Sequence, residues 1–170
     1  MILGYNWFMN NPRGWLMSEK MDGVRAYWDG HMLWTRGNKI INTPDWMLAK
    51  FPKGVGLDCE LWHGRGNYRE TMKIFQCKES LRPWETVKIG VFDAPKNDGE
   101  IEERINFLGG LRLPEPFFIV DYDVCRGMSH LKQAFESIFN ANGEGLVLRK
   151  SGSEYLHERT TEFLKVKYPW

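Results

Sequence analysis

Closely spaced turn signals constrain this chain most. Asp29-Gly30 separates two aromatic-rich runs, Val24–Trp28 and Met32–Thr35, the pattern of a β-hairpin. Pro95 ends the apolar run Val87–Ala94, and Gly109-Gly110 stops the amphipathic segment Glu100–Leu108. No element has room to grow long. Strands are predicted over Val55–Trp62, Val87–Ala94, Phe117–Tyr122, Gly145–Lys150 and Phe163–Lys167. Helices are predicted over Tyr68–Lys78, over Glu100–Leu108, and from a Ser129 cap to about Ala141, with Leu131, Phe135, Ile138 and Phe139 on one face. Thr43 is expected to cap a short helix that opens at Pro44 and runs to about Phe51. Short strands in hairpins mixed with a few helices define an α+β fold, mostly antiparallel.

The 170 residues suit one domain, 1–170. Hydrophobic residues make up 42%, enough for a core, which excludes wholesale disorder. Lys plus Arg is 23 against 22 for Asp plus Glu, and a net charge of +1 excludes a generic basic tail. Any nucleic-acid contact must come from local clustering of charge. The start, MILGYNWFMNNPRG, lacks the basic residues that precede a secretory apolar stretch. No apolar run approaches the roughly 18 residues a membrane span needs. Cys59, Cys77 and Cys125 are an odd set whose spacing matches no zinc or thioredoxin pattern. Free, mostly interior thiols of an intracellular protein are expected. The end at Trp170, shortly past the last strand, is expected to be a domain edge, and a monomer is the default.

The richest segment is Ser18-Glu19-Lys20-Met21-Asp22-Gly23-Val24-Arg25. Alone, it reads as a surface lysine before a turn, since lysines before turns are common. Four further segments carry polar groups in otherwise apolar runs: Leu57-Asp58-Cys59-Glu60-Leu61-Trp62, Val91-Phe92-Asp93, Glu144 to Lys150, and Leu164-Lys165-Val166-Lys167. Each has an ordinary reading as well: a solvent-facing acid, a core Phe, a turn glutamate, an edge strand protected by lysines. Lys165 and Lys167 share one strand face by their spacing.

Taken in order, these segments resemble the covalent nucleotidyltransferases, namely ATP-dependent DNA ligases, RNA ligases and mRNA-capping enzymes. KMDGVR is similar to the nucleophile motif K-x-D-G-x-R. Thr35-Arg36-Gly37-Asn38 resembles the next motif, DCELW the D-G-E-L-W motif, and VFDAP the aromatic motif. EGLVLRK and LKVK resemble the last two. The resemblance spans about residues 14 to 168 and looks closest to the small ATP-dependent DNA ligases of bacteria and phages. Cys59 stands where the family usually has glycine.

The resemblance implies a nucleotidyltransferase (ATP-grasp-like) domain of antiparallel sheets with flanking helices. It lacks the OB-fold domain that follows the K-x-K strand in ligases. It further implies that Lys20 attacks ATP to form a lysyl-AMP, with Mg²⁺ (or Mn²⁺) associated with Glu144. Glu60 would accept a ribose hydroxyl. Phe92 would stack on adenine, with Val147 opposite. Arg25 would hold ribose or phosphate. Ser18 and Glu19 would read the adenine edge. Lys165 and Lys167 would stabilise phosphoryl charge and favour the neutral amine. Arg36 would meet the 5′-phosphate of nicked duplex DNA. Arg13, Arg65, Arg69, Lys78 and Arg82 are candidates for further phosphate contacts. An RNA ligase, a GTP-using capping enzyme and a non-catalytic nucleotide- or DNA-binding relative are the alternatives. The eight tryptophans are expected mostly in the core and in pocket walls.

Overall fold

A computed structural model describes residues 1–76 and 82–167, without the side chains of residues 76, 82 and 83. Among the described residues ten strands form two five-stranded sheets. The first runs in the order β1 (Leu3–Asn6), β10 (Arg159–Lys167), β9 (Gly145–Arg149), β2 (Leu16–Lys20) and β8 (Asp123–Val124). The second runs β4 (Leu33–Thr35), β3 (Val24–Trp28), β5 (Leu57–Trp62), β6 (Lys88–Asp93) and β7 (Phe117–Ile119). Pairing is antiparallel except at β1–β10 and β6–β7. Helices α1 (Asp45–Leu48), α2 (Tyr68–Gln76), α3 (Arg82–Thr86), α4 (Ile101–Gly109) and α5 (Met128–Asn140) complete the α+β fold.

Period-two alternation splits each sheet into a dry face and a polar face. In the second sheet Ala26, Trp28, Leu57, Cys59, Leu61, Ile89 and Val91 share one core with Met47, Phe51, Ile74, Trp84 and Leu108. In the first, Met17, Leu146, Leu148, Leu164 and Val166 share another with Leu131 and Phe135 of α5. Each fully buried aliphatic or aromatic side chain there contributes about 1.5–3 kcal/mol through removal from water. The opposite faces meet across a cleft. Between Lys20 and Val24 the chain passes from one sheet to the other. That turn needs Gly23, because a Cβ there would strike the Leu61 carbonyl oxygen.

The Asp29-Gly30 hairpin forms as the sequence predicts, joining β3 to β4. Two caps differ. Pro44, not Thr43, is the N-cap of α1, while the Thr43 hydroxyl donates to the Ile41 carbonyl at 3.0 Å. Pro44 sits there at no cost, since its extended backbone leaves its carbonyl free to accept from Met47 and Leu48. Helix α1 also stops at Leu48, short of Phe51. Helix α5 starts one residue before Ser129, after Gly127, whose φ of 131° favours glycine. The strand expected to reach Tyr122 ends at Ile119, and β10 begins earlier than Phe163, at Arg159. Strands β1 and β8 and helix α3 were not apparent from periodicity, being four, two and five residues long. Cys59 and Cys125 are buried free thiols; Cys77 lies outside the described residues. Trp7, Trp28 and Trp84 are buried, whereas Trp46 is exposed.

Candidate active site

The cleft, about 260 Å³, is lined from both sheets by the faces turned away from the two cores. On the first sheet these are Ser18 and Lys20 of β2, Val147 and Arg149 of β9, and Phe163, Lys165 and Lys167 of β10. On the second they are Arg25 of β3, Glu60 of β5 and Phe92 of β6. Register brings them together: Lys20 and Lys167 both pair with Gly145, and Arg25 pairs with Glu60. Gly145 has φ 149°, and a Cβ there would meet the Val166 carbonyl oxygen, so glycine is required beside Glu144.

Glu144 is shared by two lysines. Its Oε2 lies 2.5 Å from Lys20 Nζ, and its Oε1 is paired with Lys167 Nζ. Burial alone would raise its pKa, but the hydrogen bonds from Lys167 and Lys20 outweigh burial and hold it below the usual carboxylate range. The resemblance implies cations as the groups that favour a neutral Lys20 amine, with Glu144 turned to a metal ion. The structure puts that carboxylate in direct contact with the amine. Lys165 is pushed below the ordinary lysine range by burial, and then by the charges of Lys20 and Lys167. Glu60 is pushed up to about 8 by burial, partly offset by Lys20 and Arg25. Its side chain faces the cleft, which removes the alternative of a solvent-facing strand acid.

The other predicted residues have partners of their own. Arg25 donates to Asp58 through Nε at 2.8 Å and Nη2 at 2.5 Å, and to the Ile2 carbonyl through Nη1 at 2.7 Å. Asp58 outweighs burial and raises the Arg25 pKa. Its guanidinium lies 5.2 Å from the Phe92 ring centroid, backing that ring by a cation–π contact. Glu19 accepts a bidentate pair of bonds from Arg65, at 2.7 and 2.8 Å. Arg65 therefore stands beside the lysine strand rather than in the cleft lining. Arg36 follows β4, is exposed, and does line the cleft. Lys78 and the Arg82 side chain lie outside the described residues.

Sequence reasoning missed several neighbours. Leu3, Gly4, Tyr122, Arg149 and Phe163 also line the cleft. Asp58 accepts from Tyr155 Oη at 2.6 Å as well as from Arg25. Behind the cleft, Asp93 accepts from Arg104 Nε at 2.7 Å and Arg149 Nη2 at 2.9 Å, all three fully buried or nearly so. The basic residues of these pairs carried no period signal; only an arginine on an apolar helix face, Arg104 of α4, hinted at one. Cys59, at the position usually held by glycine, points into the core, where its Sγ lies 3.3 Å from the Ala26 carbonyl oxygen. Burial pushes its thiol pKa well up. It does not intrude on the cleft.

No protein-family model matches the chain. A DNA ligase of Haemophilus influenzae (strain ATCC 51907 / DSM 11121 / KW20 / Rd) is 34% identical over 164 residues, covering 94% of this chain and 60% of that protein. A structure from a structure–function study of Lig E DNA ligases, on DNA binding with a minimal scaffold, superposes with a TM-score of 0.88. It is 32% identical and covers 98% of this chain and 68% of that one. Chlorella virus DNA ligase-adenylate gives a TM-score of 0.74 at 15% identity, covering 98% of this chain and 65% of that one. The ATP-dependent DNA ligase of bacteriophage T7, in complex with ATP, gives 0.70 at 13%, covering 99% and 68%. The last two likenesses concern the fold alone. The fold is that of the DNA ligase nucleotidyltransferase domains. Within that class, the chain belongs to the ATP-dependent DNA ligase family. It spans 60% of the length of its Haemophilus relative.

Proposed function

We propose that this chain carries the adenylating chemistry of a DNA ligase, with Lys20 as nucleophile. The observation that carries the reading is the convergence on one cleft of Lys20, the Lys165 and Lys167 pair, Glu60 and the Phe92 ring. An amine is the right nucleophile because its P–N bond stays reactive enough to pass AMP onward. Lys20 Nζ attacks the α-phosphate of ATP. The P–N bond forms as the bond from the α-phosphorus to pyrophosphate breaks, and the amine gives up a proton. AMP then passes to the 5′-phosphate of nicked DNA, and the 3′-hydroxyl displaces it to seal the strand.

Each cleft residue has a part in this reading. Lys165 and Lys167 stabilise negative charge on the phosphoryl oxygens. Phe92, backed by Arg25, and Val147 receive the two faces of adenine, with Ser18 and Glu19 near its edge. Arg25 also keeps two of its N–H groups for ribose or phosphate, because three go to Asp58 and Ile2. Glu60 keeps its proton at neutral pH in the free cleft. In either protonation state it accepts from a ribose hydroxyl. Arg36 meets the nick 5′-phosphate, and Arg65 contacts the duplex only by leaving Glu19.

Mg²⁺ or Mn²⁺ fits this set as a substrate-borne ion. No cage of three or more His, Cys, Asp or Glu occurs among the described residues. A hard ion held by one or two carboxylates plus phosphates needs none. Glu144 would hold it, and its chemistry there is neutralisation of phosphate charge. The partners in this reading are nicked duplex DNA and a C-terminal OB-fold domain, with a monomeric enzyme working inside the cell. No described helix is long and apolar enough to cross a membrane.

The test is intact mass after incubation with ATP and Mg²⁺, with GTP and NAD⁺ in parallel. The expected result is a gain of about 329 Da, one AMP residue on the nucleophile, with ATP alone. The gain is absent in Lys20→Ala. A gain with GTP would move the reading to a capping-type enzyme. No gain, together with no sealing of pre-adenylated nicks, would favour a binding relative.

A further inference from the structure

Tyr122 stands where the chain crosses from β7 of the second sheet to β8 of the first. Its side chain lines the cleft. Its hydroxyl donates to the Phe92 carbonyl at 3.0 Å. The bond ties the segment leading into β8 of the first sheet to the backbone of β6 in the second. The Phe92 ring is backed by the Arg25 guanidinium 5.2 Å away.

Geometry makes this contact consequential. A strand side chain stands roughly perpendicular to its sheet, so a shift of the Phe92 backbone carries the ring with it. The gap between Phe92 on one sheet and Val147 on the other is then set by what ties β6 to the first sheet: the Arg149–Asp93 ion pair at the neighbouring residue, and Tyr122 at the Phe92 carbonyl itself. Removing the hydroxyl from this half-buried bond takes away the carbonyl's side-chain donor, at the cost of about one net hydrogen bond.

We propose that Tyr122 is a positioning residue for the base: through its hydroxyl it holds the Phe92 ring at the spacing that admits a purine against Val147. The inference rests on the proposed adenylation of Lys20 and names a residue that acts on nucleotide capture rather than on the phosphoryl chemistry. Tyr122→Phe keeps the ring and removes only the hydroxyl.

The experiment follows lysyl-adenylate formation against ATP concentration for the unsubstituted chain, Tyr122→Phe, Phe92→Leu and the double variant. Loss of one net hydrogen bond predicts a KM for ATP raised about three- to tenfold in Tyr122→Phe, with the maximal rate changed less than about twofold. In the Phe92→Leu background the same substitution is expected to add nothing, since the ring it positions is gone. An unchanged KM overturns the inference, and so does a fall in maximal rate alone. A full additive effect on top of Phe92→Leu does the same. No adenylate on the unsubstituted chain overturns the proposed function and this inference with it. Adenylate formed with equal KM by the unsubstituted chain and Tyr122→Phe overturns the inference alone.

Discussion

Asp93 and Glu144 each hold two cations, and almost everything else about them differs. Asp93 is fully buried, and its partners Arg104 and Arg149 are 0% and 1% exposed. The Glu144 side chain is 26% exposed, and its partners Lys20 and Lys167 are 20% and 45% exposed. Arginine carries a permanent charge on a planar fork, so the Asp93 cluster cannot neutralise itself and stays locked. Lysine is a flexible point charge that gives up its proton readily when its surroundings change. Clusters of the same charge count thus serve opposite ends. One joins α4 and β9 to β6 and fixes the sheets. The other leaves the Lys20 amine reachable beside exchangeable partners.

That contrast can be broken by measuring stability across both clusters. The largest loss is expected from Asp93→Leu, which strands Arg104 and Arg149 in the interior. Breaking a buried pair costs about 3–5 kcal/mol, read by urea denaturation. A loss below about 1 kcal/mol would erase the distinction. Glu60→Gln sharpens it from the cleft side. Burial lifts Glu60 from 4.5 to about 8. Between those values the folded chain keeps a proton that the unfolded chain has released, so stability falls as pH rises from about 4.5 to about 8 and is level above. The substitution is expected to flatten that slope; a slope unchanged in Glu60→Gln assigns it to another group. Lys20→Ala is expected to shift stability by no more than about 0.5 kcal/mol, yet to abolish the AMP mass gain. Arg36→Ala, on an exposed residue, is expected to leave both melting temperature and adenylation unchanged while slowing the sealing of nicked DNA. Equal loss of adenylation and sealing would place Arg36 in the first step instead.

Much of the cleft was legible in the sequence because strands write their chemistry with a period of two. Glu60 between Cys59 and Leu61, and Lys165 flanked by Leu164 and Val166, announce one polar face against one dry face. Lys20, Phe92 and Glu144 follow from the order of the segments that hold them. What stayed hidden depends on pairing across the fold. Nothing local says that Arg65 returns to Glu19, that Tyr155 caps Asp58, or that Tyr122 reaches the Phe92 carbonyl, since these partners lie far apart in the chain. Strand β1 was invisible for a similar reason. Its four residues gain their place only by pairing with β10, at the other end of the sequence. The Thr43 cap failed on a near tie, because its hydroxyl found the Ile41 carbonyl instead.

The alternation in β5 has a further consequence for how variation along this chain should be interpreted. The run Leu57-Asp58-Cys59-Glu60-Leu61-Trp62 is one motif on paper and two in space. Leu57, Cys59 and Leu61 belong to the core cluster, while Glu60 lines the cleft. Substitutions at the first set are a matter of volume: they should be tolerated or rejected according to whether the layer behind β5 can expand. A substitution at Glu60 changes the lining and charge of the cleft. A cysteine in place of glycine at position 59 therefore says nothing about catalytic competence, and half of a strand-borne signature records the thickness of the layer behind it.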